Sequence, residues 1–415
     1  MAKPRAAVKT SLLRRINAGL VLELLRDVGS LTVTEVAERA ELSRPTVDAV
    51  ADDLVRLGLV AEAWQEERRR GRPARRLAFR PEAGHVLAID VFDEGVRVFV
   101  ADLAGRVVAR AERPVGRTVG RPERIAEMHA AVADVLGRAA MSIDDVLSIG
   151  AATPGTVDVA TGTVNYCAAM PDWTGLELRT LLESTYGRRA AVGNDANLAV
   201  IGERWRGSAT AVDDVVFLIA GYHAGAGIIV GGHPVQGFGG GAGELGFLGL
   251  WEEVDVRAHS ALALQTTEIV AELVEQSAPC AAGSADWRDT HDPSTGQVDT
   301  AAVLAAARHG DTEAVQVLQR FLARTSYAIA IVALVLNPEL IVVGGAIAKV
   351  GDQLLEPLSK LVRLMTANMV LTPPRVVLSA LGTNAVGTGA LRRALDLVEQ
   401  RWLDELGDPV AVAEP

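Results

Sequence analysis

The chain has few of the residues that build disulfide-rich, zinc-finger or membrane proteins. Its two cysteines, Cys167 and Cys280, are too few for a disulfide framework or a four-cysteine metal site. Aromatic residues make up 4% of the sequence, and four lysines stand against 37 arginines. No run of about 18 apolar residues is free of charge, and the amino terminus lacks the apolar core of a signal peptide. These absences lead us to expect a soluble, cytoplasmic protein with no membrane partner.

What is present is a globular composition with an uneven distribution of charge. Of the 415 residues, 49% are hydrophobic and 22% are charged, which is enough to bury large cores in two or three domains. Residues 1–80 carry a net charge of +5, whereas the remaining 335 residues carry −16. A positive end on a negative chain indicates that this end meets a polyanion, while the rest of the chain repels it.

Apolar spacing in the first 60 residues predicts three helices. Residues 10–28 form the first, an amphipathic helix. Thr32 and Glu35 have the spacing of a capping box, which starts a short second helix. Ser43 is expected to cap a third helix, whose first turn tolerates Pro45 because its amides need no partner in the helix. The apolar positions of the first helix are Leu12, Leu13, Ile16, Leu20, Leu24 and Leu25.

A short helix, a tight turn and a capped helix together make a helix-turn-helix, in which the second of these helices presents its first turn to the major groove of DNA. We therefore expect this turn to contact double-stranded DNA. The residues at or near the DNA would be Ser43, Arg44, Pro45 and Thr46, with Asp48 close by.

The segment that follows predicts a wing. Residues 60–64 and 76–79 have strand patterns, and residues 68–80 contain seven arginines and no acidic residue. Arginine binds phosphate bidentately and is attracted into narrow minor grooves. The residues expected to touch DNA here are Arg69, Arg70, Arg72 and Pro73. A protein-binding winged helix, or a helical cap on an enzyme, remains the alternative.

From about residue 84 the pattern changes to apolar strands that alternate with helices and glycine turns. Residues 85–91 and 96–102 are predicted to pair as strands, and residues 125–139 are predicted to be helical. Further strands are predicted at 146–151 and 189–192, and a helix is predicted from Asn197 onward. The run 328–336 is interpreted as a buried helix. The order indicates an α/β fold with two lobes.

Six motifs in this region, taken in order, resemble the ROK family of repressors, open reading frames and kinases, and the resemblance covers nearly the whole chain. It implies a winged helix-turn-helix at residues 1–83, followed by a two-lobed, actin-like sugar kinase fold at 84–415. The small lobe would span about 84–194 plus 385–410, and the large lobe about 195–384. The motifs are Thr-Pro-Gly-Thr-Val-Asp at 153, Trp-Thr-Gly at 173, Gly-Asn-Asp-Ala-Asn at 193, Gly-Ala-Gly-Glu-Leu-Gly at 241, Val-Gly-Gly at 343 and Leu-Gly-Thr-Asn-Ala-Val-Gly-Thr-Gly-Ala at 381.

The resemblance also implies roles for single residues. Asn194 and Asp195 match the pair that holds the sugar, and in the kinases the aspartate is the base that takes a proton from the attacking hydroxyl. Glu244 matches a carboxylate that accepts hydrogen bonds from ring hydroxyls, and Gly155 lies in a motif of the same site.

The chain departs from the kinases at three places. Where they have an Asp-x-Gly-Gly-Thr phosphate loop, residues 90–94 read Asp-Val-Phe-Asp-Glu, with bulk and extra negative charge. In the second nucleotide loop, residues 221–227, His223 and Ala226 replace glycines. Phe247 replaces the family's zinc-binding histidine and the zinc-binding cysteines are missing, so we expect no metal and no cofactor. Asp195 would then be a vestige of catalysis and the protein not an enzyme.

The sequence thus predicts a carbohydrate-responsive repressor that binds a DNA operator. A monosaccharide or sugar phosphate would be the effector, and the protein would pair as a homodimer or homotetramer. Two alternatives stay open. One is a hexokinase-type ROK kinase with Asp195 as the base. The other is a regulator with a vestigial sugar pocket that a protein partner controls, which Phe247 favours. Which sugar binds, which operator is bound and whether the effector induces or co-represses are not determined by the sequence.

Overall fold

The computed structural model describes residues 5–65, 74–220, 225–245, 287, 300–345, 352–366 and 372–407. These residues form a small amino-terminal unit, termed the head, and a two-lobed body that begins near residue 84. The predicted α/β class with a winged helix-turn-helix in front is confirmed.

The head consists of three helices and a three-stranded sheet. Its helices are α1 (Arg5–Val28), α2 (Val33–Arg39) and α3 (Arg44–Arg56), and its strands are β1 (Ser30–Thr32), β2 (Val60–Gln65) and β3 (Ala74–Phe79). The sheet order is β1-β3-β2, and all pairs are antiparallel. Thr32 and Glu35 form the predicted capping box at the start of α2. Strand β1 was not predicted from the sequence.

The amphipathic interpretation of α1 was wrong about the face that is buried. Four of the six apolar positions that predicted the helix, Leu12, Leu13, Ile16 and Leu20, are exposed, with 42–60% of their surface accessible. The buried face consists of Ala18, Val21, Leu22 and Leu25, which are shifted around the helix. Spacing alone could not choose between two apolar stripes, because α1 carries both.

The first lobe is built on a five-stranded sheet of order β10-β7-β4-β5-β6. Strands β4 (His85–Phe92), β5 (Gly95–Asp102) and β6 (Val107–Pro114) form an antiparallel meander, and β7 (Val146–Thr153) pairs parallel with β4. Strand β10 (Arg189–Asn194) closes the edge. Helices α4 (Arg121–Ala139) and α5 (Leu178–Tyr186) and the hairpin β8 (Thr156–Asp158) and β9 (Thr163–Tyr166) complete the lobe.

The second lobe has a sheet of order β13-β12-β11-β14-β15. Its strands are β11 (Val215–Ala220), β12 (Gly225–Val230), β13 (His233–Pro234), β14 (Leu340–Gly345) and β15 (Arg375–Leu378). Helices α7 (Thr300–Arg308), α8 (Thr312–Leu336) and α9 (Asp352–Thr366) cover it. Helix α8 is long and apolar enough to cross a membrane, but Leu318, Leu322 and Ile329 pack into the core of this lobe, as in a core helix. The predicted burial of 328–336 ends before Leu334 and Val335, which are exposed.

Two helices connect the parts of the molecule. Helix α6 (Asp195–Arg206) leaves the edge strand β10 and packs against β11 and β12 of the second sheet. Helix α10 (Ala385–Gly407), the last one, packs on α6, on the first sheet and on α1 of the head. Leu395 and Val398 of α10 belong to the same hydrophobic cluster as Leu25 of the head. The head is therefore fastened to the body by apolar contacts as well as by chain connection.

Candidate functional site

The first turn of α3 is exposed on the surface of the head. The backbone N–H of Thr46 donates to Ser43 Oγ over 3.3 Å, so that Ser43 caps the helix as predicted. The two hydroxyl groups are 2.7 Å apart. Ser43, Arg44 and Pro45 are exposed, and Thr46 is half-buried. The turn thus presents one guanidinium and two hydroxyl groups to an approaching phosphate or base edge.

Asp48 was predicted to lie close to the DNA, but its carboxylate is engaged within the protein. Arg75 Nη1 donates to Asp48 Oδ1 over 3.0 Å, and the same guanidinium also contacts Asp52 at 2.6 Å and Glu62. Arg75 therefore ties the third helix to both strands of the wing. The pairing also lowers the negative charge beside the exposed turn, which favours an approaching polyanion.

Three arginines of the wing form ion pairs within the protein. Arg75 holds three carboxylates, Arg76 lies 3.9 Å from Glu35, and Arg80 pairs with Glu82 at 3.1 Å. These arginines are structural to a degree that the sequence did not reveal. The other predicted contacts of the wing, Arg69, Arg70, Arg72 and Pro73, lie outside the described residues.

In the body, Asn194 joins two segments of the predicted sugar site. It is the N-cap of α6, because the N–H of Asn197 donates to its Oδ1 over 3.1 Å. Its Nδ2 donates to the carbonyl oxygen of Gly155 over 2.9 Å. Gly155 has a φ of +89°, and a Cβ there would lie 2.1 Å from the carbonyl oxygen of Tyr166. Only glycine fits this turn, which brings the predicted residues Gly155 and Asn194 together.

Asp195 is the first residue of α6, beside Asn194. Its Oδ1 accepts a hydrogen bond from the N–H of Ala196 at 2.7 Å. Burial raises the pKa of Asp195 to about 7, with a further rise from the charges of Asp90 and Glu244 and an opposing effect of the Ala196 bond. A carboxyl group that exchanges its proton near neutrality can accept a hydrogen bond from a hydroxyl group or donate one to it.

Glu244 reaches the same place from the second lobe. The loop before it packs on β12, where the N–H of Ala226 donates to the carbonyl oxygen of Gly243 over 2.8 Å. Gly243 has a φ of +88°, and a Cβ there would lie 1.8 Å from the oxygen of Ala226. Burial raises the pKa of Glu244. The charge of Glu244 contributes to the raised pKa of Asp195, so that the two carboxyl groups lie within electrostatic range of each other.

Asp90 lies in the hairpin of β4 and β5, where the sequence predicts an altered phosphate loop. Asp90 and Arg97 face each other in the register of the β4–β5 hairpin, and Arg97 Nη1 lies 3.3 Å from Asp90 Oδ2. Arg97 also donates to the carbonyl oxygen of Thr383 over 3.3 Å, and its guanidinium lies 4.1 Å from the centre of the Phe92 ring. Burial raises the pKa of Asp90 to about 6, against the lowering effect of Arg97. The hairpin is therefore closed by its own cation and aromatic ring.

The acidic turn of this hairpin is neutralised as well. Arg117 lies 3.3 Å from Asp93 and 2.6 Å from Glu94. The buried Arg124 donates to the carbonyl oxygens of Phe92 and Asp93 over 2.8 and 3.0 Å. Sequence reasoning missed these arginines. The signal for Arg97 was available, since a hairpin turn at residues 93–94 places residue 97 opposite residue 90.

Other predicted features fall partly outside the described residues. Phe247, Cys280 and His223 belong to the segments that the structure does not describe, whereas Ala226 lies in β12. In the described segments, no group of three or more His, Cys, Asp or Glu residues is placed to hold a metal ion. Cys167 is buried, and burial raises the pKa of its thiol to about 11, so that this thiol is unreactive near neutral pH.

Comparisons with known proteins agree with this architecture. The model of the ROK family matches residues 86–397, and that of the IclR helix-turn-helix domain matches residues 17–63. The chain is 23% identical to the xylose repressor of Caldicellulosiruptor bescii, over 85% of this chain and 88% of that protein. It is 28% identical to a glucokinase of Halalkalibacterium halodurans, over 66% of this chain and 84% of that one.

A solved structure shows the same fold over nearly the full length. It is a ROK family transcriptional regulator described as a homologue of the E. coli Mlc protein, with a TM-score of 0.70 and 22% identity. The match covers 95% of this chain and 99% of that one. Regulators therefore match head and body together, whereas the glucokinase matches a smaller share of this chain.

Proposed function

Since this chain belongs to the ROK family and carries a helix-turn-helix domain in front of the family's body, we propose that it is a carbohydrate-responsive repressor of transcription. The turn of α3 would bind a double-stranded operator, and the cleft around Asp195 would bind the effector. The comparison with the xylose repressor, which extends over both parts of the chain, supports this proposal.

The observation that carries the proposal is the combination of two features in one chain. The first turn of α3 is exposed and neutralised on its acidic side, as a DNA-contacting turn should be. In the body, the charges of Asp90 and Glu244 contribute to the raised pKa of Asp195, and Arg97 forms an ion pair with Asp90. A protein with these features can recognise DNA and a sugar without needing a nucleotide.

The cleft favours a neutral monosaccharide over a sugar phosphate. Asp90 and Glu244 are close enough to Asp195 to raise its pKa. A phosphate group beside these three carboxyl groups would therefore meet further negative charge. Hydroxyl groups, in contrast, donate to carboxylates and offset part of their burial. The effector would act by favouring one arrangement of the lobes, since a ligand bound equally to both would change nothing.

We propose that the protein has no kinase activity. The second candidate, a sugar kinase with Asp195 as its base, is favoured by one observation: a carboxylate with a pKa of about 7 is suited to accept a proton from a hydroxyl group near neutral pH. The closed hairpin at Asp90 and Arg97 opposes it, because the γ-phosphate and its metal ion would need that space and that carboxylate.

The proposal is tested by measuring DNA binding with fluorescence anisotropy on fragments from around the protein's own gene. At low salt we expect binding that is sequence-dependent and that a monosaccharide alters. Arg44→Ala should change base preference by about 1–3 kcal/mol. Arg70→Ala should lower the affinity for all sequences and reduce the salt slope by about 1. If the protein ignored duplex DNA at low ionic strength, the proposal would be wrong.

We further propose that the head and the body divide near residue 83, and that the body pairs as a homodimer or homotetramer. Two-fold pairing would set the spacing of two operator half-sites to whole turns of DNA. The proposed location is the cytoplasm, where the operator is found.

A further inference from the structure

A groove of about 950 Å³ lies between the head and the body, away from the sugar cleft. Its walls come from the end of α1, the turn between β5 and β6, the end of α6 and the first half of α10. We name it the junction groove. Six arginines line it: Arg26, Arg106, Arg204, Arg206, Arg392 and Arg393. Five of them belong to the body and Arg26 belongs to the head, and the carboxylates Glu23, Asp27 and Asp396 also line the groove.

Among the residues that the structure describes, five of these arginines have a carboxylate partner, whereas Arg206 has none. The pairs are Arg26–Glu399 at 2.8 Å, Arg106–Asp102 at 2.8 Å, Arg204–Asp213 at 2.6 Å, Arg392–Asp396 at 2.7 Å and Arg393–Asp396 at 3.0 Å. Within the part of the chain that the structure describes, Arg206 donates only to the carbonyl oxygens of Gly105, at 2.7 Å, and Ala104. Its guanidinium lies 4.2 Å from the centre of the Trp205 ring.

The surroundings of Arg206 disfavour its positive charge. Burial lowers its pKa, and the charges of Arg392, Arg26 and Arg106 lower it further, against the opposing effect of Asp102. A cation held among other cations is stabilised by any anion that enters the site. The guanidinium nevertheless stays charged, because an arginine cannot lose its proton in a protein.

Arg26, on the head, contributes a second hydrogen-bond donor to the groove. Its Nη1 pairs with Glu399, and its guanidinium lies 5.6 Å from the centre of the Phe79 ring. Its Nε is buried and has no hydrogen-bond partner among the described residues. A buried donor without a partner destabilises the protein, and an acceptor oxygen that reached it would offset this cost.

The groove lies at the far end of the helix that starts in the sugar site. Helix α6 begins with Asp195 and ends with Arg206, which is 12 residues or about 18 Å. A ligand at Arg206 and a ligand at Asp195 would therefore act on the same helix from its two ends. A ligand that also reached Arg26 would bridge the body and the head.

We propose that the junction groove is a binding site for a small phosphorylated molecule, whose phosphate oxygens are held by Arg206 and Arg26 and which fixes the head against the body. Guanidinium groups match phosphate bidentately, and the groove is large enough for a phosphate ester with a sugar or nucleoside attached. This site goes beyond the proposed function, since it is separate from the cleft at Asp195 and from the DNA-contacting turn.

The test uses the full-length protein and pyrophosphate as the probe. Melting temperature is measured against pyrophosphate concentration, with sodium chloride adjusted to keep the ionic strength constant. We expect the melting temperature to rise in the wild type, because a ligand that binds only the folded state stabilises it. In Arg206→Gln the apparent affinity should fall by about tenfold or more, as expected for the loss of a charge-assisted bond.

The matched control is Arg375→Gln, which removes an exposed arginine paired with Glu339 at 2.9 Å on β15 of the second lobe. It should bind pyrophosphate like the wild type, and this separates the groove from general attraction to arginine. If Arg206→Gln folds poorly, Arg206→Lys keeps the charge but loses the fork, and its affinity should fall between those of Gln and wild type. Equal affinity in wild type and Arg206→Gln, or no rise at all, would overturn the proposal.

Two further measurements separate this proposal from its neighbours. Titrating the wild type separately with a monosaccharide and with pyrophosphate tells a failed sugar site and a failed groove apart, because each ligand gives its own melting curve. Pyrophosphate should change the DNA affinity of the wild type but not that of Arg206→Gln. A loss of DNA affinity in Arg206→Gln without pyrophosphate would mean that the groove contacts the DNA backbone itself, and the small-molecule site would be disproved.

Discussion

The surroundings of Asp195, termed the sugar side, and the hairpin at Asp90, termed the phosphate side, differ in the contacts that fix their conformation. On the sugar side, Gly155 and Gly243 keep backbone conformations that admit only glycine, and Asn194 and Asp195 stand at the start of α6. On the phosphate side, the hairpin at Asp90 is filled by Phe92 and Arg97. The comparison shows that the two sides are fixed in different ways, one by turns that only glycine can form and the other by the contacts of Phe92 and Arg97.

The largest effect is expected from the phosphate side. Arg97→Met keeps the apolar stem beside Phe92 but leaves Asp90, whose side chain is 3% exposed, without its cation. We expect the free energy of unfolding at pH 8 to fall by about 2–4 kcal/mol, since an unpaired buried charge is costly. The measurement is denaturant unfolding followed by circular dichroism.

The matched control is the double variant Arg97→Met with Asp90→Asn. Because no charge is then left unpaired, it should recover most of the lost stability, and the double-mutant cycle gives the coupling energy directly. The loss in the single variant should also shrink at pH 5, where Asp90 takes up a proton. A single variant as stable as the wild type at pH 8 would show that the hairpin is not held by this pair.

The next largest effect is expected on the sugar side. Asp195→Asn and Glu244→Gln should each weaken monosaccharide binding by about tenfold to a hundredfold, because each replaces a charged acceptor by a neutral one. Titration calorimetry against a panel of pentoses, hexoses and amino sugars measures this. Glu339→Gln, an exposed carboxylate on the far side of the second sheet, is the control. If the wild type bound none of the sugars in the panel, the alternative of a vestigial sugar pocket would be favoured instead.

A smaller effect concerns pH. The pKa of Asp195 rises from its ordinary 3.8 to about 7 in the folded protein, so that between these values the folded state holds more protons than the unfolded state. The free energy of unfolding must then fall as pH rises from about 4 to 7. We expect Asp195→Asn to remove about 1–2 kcal/mol of this fall, after allowance for solvent in the cleft.

The slope that remains in Asp195→Asn should come largely from Asp90, whose pKa of about 6 gives the same sign. Unfolding curves at several pH values provide the measurement. An unchanged slope in the variant would mean that Asp195 ionises like an exposed carboxyl group, and the electrostatic link between the two halves of the cleft would be lost with it.

The smallest expected effect is none. ATP with magnesium should neither raise the melting temperature nor drive sugar-dependent release of ADP, because Arg97 and Phe92 close the phosphate side. A coupled ADP assay across the sugars that bind, with Asp195→Asn beside the wild type, decides the point. Turnover that depends on sugar and disappears in the variant would establish a kinase.

The sequence predicted those features of the fold and of the site that depend on interactions between residues close together in the chain. Local rules were enough for the caps at Thr32 and Ser43, because a cap is decided within four residues. They were also enough for the hairpin of β4 and β5 and for the helix after Asn194. The family motifs singled out Asp195 and Glu244, which are 49 residues apart in sequence and lie within electrostatic range of each other in the structure.

Tertiary contacts decided the features that were missed. Helix α1 has two apolar stripes, and the choice between them was made by α10, which follows some 360 residues later in the sequence. The ion pair of Asp48 was missed because its partner Arg75 comes from the wing, and the sequence does not determine the strand register there. The junction groove is formed by segments that are far apart in the sequence, so that no local pattern could predict it.

The way in which α10 ends the fold limits how this protein can be taken apart. Its side chains Leu395, Val398 and Leu406 share one core with Leu25 of the head. An isolated head would expose to water the apolar side chains that it contributes to this core. A body without α10 would lose its apolar contacts with the head. Swapping heads between such regulators should therefore succeed only when the matching final helix is transplanted along with them.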